Sequence, residues 1–185
     1  KYLDINKKET IRLIPNQSHW VNLVQGKLGN TCSNLFKRRA VMDVNGWDVT
    51  LESSQETDLM FRLLKSEGTI VISNNPKAII RARVSGQISN GSLENKMRFI
   101  ELRLEIIRYL KAAKSELFLL HKNELCISVY NWIKKIGVNE PDLAQRYYSE
   151  LPKGFQPNTI KAQLFKKLID LLGFRLVMKV FRFAL

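Results

Sequence analysis

Cysteine and histidine are scarce in this chain, with two of each among 185 residues. Cys32 and Cys126 lie far apart and form no CxxC pair, which excludes a disulfide framework and a cysteine zinc site and suits reduced thiols in a cytoplasmic setting. His19 and His121 are too isolated to seed a metal cluster and read as structural or surface residues. No run of about 18 apolar residues occurs, so no spanning helix is expected. There is no Walker loop, no GxGxxG, no Ser-His-Asp set, no internal repeat and no low-complexity tract. No signal peptide is visible; the chain opens at Lys1 and reads as a fragment or processed piece. Acids are also in short supply, 17 against 30 Lys and Arg, for a net charge of +13.

That excess points to an anionic partner: nucleic acid, an anionic membrane surface or a phosphorylated substrate. The basic residues are dispersed, and no reader motif interleaves them with stacking aromatics, so nucleic acid is the weakest of the three. Hydrophobic residues make up 45% of the chain, enough for a sizeable core and against global disorder.

The most informative stretch is Gly46 to Arg62, GWDVTLESSQETDLMFR. Polar and acidic residues are gathered just before an apolar run, as at a helix start. Ser53 or Ser54 can cap that helix, and Glu56 stands three residues after Ser53, the spacing of a capping box. Carboxylates in a first turn are favoured by the positive end of the helix dipole. Read alone, this is a well-capped helix with a solvated acidic face.

Around it, Ile11–Ile14 suggests a short strand before Pro15, His19–Gln25 a short helix or strand, and Arg38–Val44 a short helix ending at Asn45-Gly46. The β-branched run Thr69–Ser73 predicts a buried strand, and Ala78–Val84 a second with alternating arginines. Helices are predicted over 93–112, 115–136, 141–149 with Pro141 at the first position, 158–171 and 174–183. In the second of these, Leu117, Leu120, Leu125, Val129, Trp132 and Ile133 are expected to face inward. From Lys153 onward there are seven Lys/Arg against one acid, Asp170, interleaved with Leu, Val and Phe. That pattern fits a helix lying in a membrane interface, or equally a helical pair packed on the protein body with its basic face in water.

Taken together, Asn45-Gly46-Trp47-Asp48 followed by Gln55-Glu56-Thr57-Asp58-Leu59 and Arg62 resembles the acceptor-side motif of family 2 inverting glycosyltransferases of the GT-A fold. The resemblance covers about residues 25–90. It implies an α/β class, a partial GT-A-like mixed sheet edge with flanking helices over 1–91, followed by an all-α region over 92–185 with basic amphipathic helices. It implies transfer from a nucleotide-sugar donor to a glycan or lipid-linked acceptor, as in polysaccharide biosynthesis at the cell envelope. Glu56 falls at the general-base position, one methylene longer than the usual Asp, and Gln55 replaces the usual first acid; Asp58 is the competing base. Trp47 and Asp48 would bind acceptor. Arg81 and Arg83 would meet the donor diphosphate, Arg83 standing where the family carries His.

The family's divalent cation, Mg2+ or Mn2+, is held by an Asp-x-Asp in a nucleotide-binding half, and no Asp-x-Asp occurs here. The expectation is therefore a catalytically incomplete piece, cytoplasmic, peripheral at the inner face of the plasma membrane or packed on its own enzyme body, and open to homo-oligomerisation. The rival reading is a basic helical membrane-surface or partner adaptor without catalysis.

Overall fold

The computed structural model describes residues 2–3, 8–11, 13–73, 75, 78–81 and 92–181. Among them the chain is mostly helical, which corrects the expected α/β, GT-A-like class with its mixed sheet. The strands are β1 (Tyr2–Leu3), β2 (Glu9–Thr10) and β3 (Ile80–Arg81), each two residues long, in the order β2-β1-β3. β1 runs antiparallel to β2 and parallel to β3. Such a patch is far shorter than the five or six residues of a typical strand. Among the described residues the run Thr69–Ser73 forms no strand, and Val71 stands 89% exposed. β-branched residues favour a strand only where a neighbour and a covered face are supplied. Ile11, Leu13 and Ile14 likewise form no strand.

The chain divides into two compact units, Lys1–Asn95 and Lys96–Leu185. In the first, α1 (His19–Val24) packs on α3 (Gln55–Lys65), and α2 (Arg38–Asp43) also contacts α3. Trp20, Val21, Leu23 and Val24 meet Leu59, Met60, Phe61 and Leu64, all buried, with Trp20 and Phe61 edge to face at 6.2 Å. Asn22 is fully buried in α1 but satisfied: its Nδ2 donates to the Pro15 carbonyl and its Oδ1 accepts from Gln17 Nε2.

The second unit holds all but the first three residues of α4 (Leu93–Ala113), and α5 (Ser115–Gly137), α6 (Pro141–Glu150), α7 (Ile160–Leu172) and α8 (Phe174–Phe181). Their bounds follow the helical periodicity of the sequence, and Pro141 opens α6 where its missing N–H costs nothing. Ile100, Leu104, Ile106, Ile107 and Leu110 of α4, and Leu125, Val129, Tyr130 and Ile133 of α5, form the core. Leu120, expected inward, is 76% exposed. Conversely Arg103 is buried; its guanidinium lies over the Phe99 ring, donates to the Phe99 carbonyl, and is pushed down to about 9 by burial.

Gly137 closes α5 where three helices converge. A Cβ built there would stand 2.6 Å from Phe174 Cε1, 3.1 Å from Ala144 Cβ and 3.3 Å from Met178 Cγ. Lys166 of α7, also buried, bonds Asp170 at 2.6 Å and lies over the Phe155 ring. Burial pushes the Asp170 carboxyl up, but hydrogen bonds from Lys166 and Tyr148 outweigh it and hold the group below its ordinary value. Among the described residues, no helix is long and apolar enough to cross a membrane.

Candidate active site around the start of helix α3

Helix α3 begins one residue later than the capping box requires. Its N-cap is Ser54, with a left-handed φ of 65° and no side-chain cap bond, so Glu56 is the second helical residue rather than the third. The Ser53–Glu56 box is thereby out of register. The Gln55 side chain instead reaches back to the Leu51 carbonyl, holding the entry to the helix.

Glu56 is oriented by a different element. Thr31 Oγ1 donates to Glu56 Oε1 at 2.7 Å. Thr31 opens a 3-10 turn, Thr31–Ser33, tied by a reciprocal Asn30–Ser33 capping box. Gly29 leads into it with φ +88°, and a Cβ there would meet Ser33 Oγ at 2.5 Å, so this turn needs glycine. The half-buried carboxylate is therefore held from outside its helix by an exposed hydroxyl.

Asp58 faces elsewhere. Residues two apart on a helix differ by about 200°, so Glu56 and Asp58 project to opposite sides of α3. Asp58 Oδ2 accepts from Arg62 Nε at 3.0 Å and from Nη2 at 2.6 Å. Arg62 Nη1 in turn donates to the Gly46 carbonyl at 2.7 Å and to the Val44 carbonyl. The guanidinium thus clamps the left-handed Asn45-Gly46 turn, φ 63° and 68°, against α3. Beside the clamp is an open depression of about 350 Å³ lined by Val44, Asn45, Arg62, Lys65 and Ser66; neither Glu56 nor Trp47 lines it.

Arg62→Ala is expected to cost about 2 kcal/mol of unfolding free energy, since charge-assisted bonds are lost from a pair that is only partly exposed. Arg62→Lys should recover little, lacking the fork that reaches carboxylate and carbonyl together. Urea unfolding reads both; an Arg62→Ala chain as stable as the parent would show that the clamp contributes nothing.

Trp47 packs perpendicular to Phe36 at 6.1 Å and leaves 38% of its surface exposed. Asp48 Oδ1 accepts from the Thr50 hydroxyl at 2.6 Å and the Thr50 amide at 2.9 Å. These bonds, the hydroxyl's first, hold its carboxyl below the ordinary range, with the Arg62 charge assisting. Arg81 is an exposed residue of β3, opposite Leu3 of β1. Among the described residues no hydrogen bond or ion pair joins it to Glu56, Asp58 or Asp48. Arg83 lies outside the described residues.

The structure therefore links Asp58, Arg62 and the Asn45-Gly46 turn, and separately Glu56 and Thr31. The Asp58–Arg62 pair has the i,i+4 spacing of a helical ion pair. The Thr31 contact was not legible in the sequence, because 25 residues separate Thr31 from Glu56. Among the described residues no group of three His, Cys, Asp or Glu is gathered that could hold a metal ion. The ligands of the Mg2+ or Mn2+ that the resemblance implies were expected in the nucleotide-binding half and not among these residues. No family model, no curated protein and no solved structure matches the chain.

Proposed function

We propose that residues 29–62 form the acceptor side of an inverting sugar-transfer site, in which Glu56 is the general base. The reading rests on the contrast between the two carboxylates. Asp58 is committed to Arg62 through both Nε and Nη2, whereas Glu56 has a hydroxyl partner and stands in the first turn of its helix. An inverting transfer needs a carboxylate within hydrogen-bond reach of the acceptor alcohol. Glu56 takes the alcohol proton as that oxygen attacks the anomeric carbon; the bond from that carbon to the diphosphate breaks, and its electron pair leaves with the nucleoside diphosphate.

Trp47, with its exposed ring, offers a stacking surface for a glycan or for the sugar of a lipid-linked acceptor. Asp48 accepts acceptor hydroxyls through Oδ2, the oxygen outside its Thr50 bonds. Arg81 meets the donor diphosphate, and the nucleotide-sugar itself is bound by a donor half beyond this chain. An exposed free thiol at Cys32 suits a cytoplasmic location.

The test isolates the Thr31 tie. In a chain joined to its donor half, Thr31→Val should lower transfer about five-fold, the equivalent of one hydrogen bond, by way of kcat and not donor affinity. Thr31 is exposed, so stability should hardly move. Unchanged transfer in Thr31→Val would remove the reason for preferring Glu56. A chain in which no change at Glu56, Asp58 or Thr31 affects transfer is better read as an adaptor.

A further inference from the structure

We infer that the outward face of α7 and α8 is a docking surface for an anionic lipid membrane. Helix α7 is amphipathic in the wrong sense for a helix facing water. At about 100° per residue, Ile160, Leu171, Leu164, Leu168 and Leu172 fall within one arc of roughly 120°. That arc is the exposed one: Ile160 is 77% and Leu171 80% exposed, while Lys166 and Ile169 are buried on the other side. Helix α8 buries Phe174, Val177 and Met178 in the ordinary sense but also leaves Leu176 and Val180 outward.

Charge selects the occupant. Lys161 and Lys167 are exposed at the borders of the α7 stripe, and Lys179 is exposed beside Val180, while the neighbouring Arg175 is paired with Asp142 of α6 at 2.8 Å. The acid on these two helices, Asp170, is bonded to Lys166 and Tyr148. The face therefore offers aliphatic side chains to an acyl boundary and cations to headgroups, the composition of an interfacial helix. Each well-placed Lys or Arg strengthens attachment to an anionic surface about five-fold. A second copy of the chain would set these cations against their equivalents, a like-charge contact that disfavours self-pairing. The inference stands independently of the sugar-transfer reading.

Vesicle co-sedimentation of the full chain tests it. Binding is expected to phosphatidylcholine and phosphatidylglycerol mixed in equal parts, not to phosphatidylcholine alone, and to weaken with added salt. Leu164→Ser with Leu171→Ser, and separately Lys161→Glu with Lys167→Glu, should each reduce binding roughly ten-fold or more. All four positions are exposed, so both variants should melt like the parent. Equal binding to neutral vesicles, or undiminished binding by well-folded variants, overturns the inference. So does a parent that binds no vesicles but forms a dimer that the leucine variant dissolves, which would give the face to a second copy.

Discussion

Glu56→Gln is expected to lower sugar transfer by roughly 10²–10⁴-fold, the usual worth of a positioned general base. The amide has the same shape as the carboxylate, and its oxygen can still accept from Thr31 Oγ1, so the surrounding geometry should persist. What it loses is the ability to take a proton. Donor affinity should stay nearly constant, because the interaction removed belongs to the transition state. Asp58→Asn should do the opposite. It weakens the Arg62 clamp and lowers stability by about 1–2 kcal/mol, while any loss of transfer tracks the loss of folded protein. The opposite directions of the two side chains on α3 make this comparison clean. If Asp58→Asn abolishes transfer at full stability and Glu56→Gln does not, the base is on the Arg62 side and the assignment is wrong.

The second large effect is structural. Gly137→Leu should destabilise the second unit by about 3 kcal/mol or more, at the top of the range for overpacking. Replacing glycine inside a helix normally favours the helix, by up to about 1 kcal/mol for alanine. Here that gain is opposed by Phe174 at 2.6 Å and by Ala144 and Met178 close behind. Gly137→Ala should therefore come out near neutral or mildly destabilised, and Gly137→Leu well beyond it. Phe174 and Met178 belong to α8, so hydrogen exchange should show α8 opening first in the leucine variant. A Gly137→Leu chain with the parent's unfolding midpoint would mean that α5, α6 and α8 do not converge on this residue.

Helices were far more legible in the sequence than strands, for a physical reason. A helix closes its backbone bonds within itself, so the three-and-four spacing of Ile100, Leu104 and Ile107 was enough to place α4. A strand needs a partner elsewhere in the chain. Thr69–Ser73 has the composition of a buried strand but, among the described residues, forms none, and with it went the expected α/β class. Arg81 does lie on a strand, but a strand of two residues.

The start of α3 was legible only to within one residue, and that residue decides whether a Ser53–Glu56 box can close. Periodicity also finds a stripe without saying which way it faces. The spacing of Leu164, Leu168 and Leu171 left a membrane face and a packed face equally open, and it is Lys166 and Ile169 that are buried. Arg103 is the same lesson inverted: an aromatic ring and a carbonyl within one turn make its burial tolerable, and neither is visible as a pattern.

The two cysteines differ in a way that is useful at the bench. Cys126 is sealed inside α5, where burial pushes its thiol up to about 12, whereas Cys32 is exposed. A maleimide dye added to the native protein will therefore attach at Cys32 and spare Cys126. That places a fluorescent reporter one residue from Thr31 without engineering, positioned to sense any ligand that the proposed site takes beside Glu56.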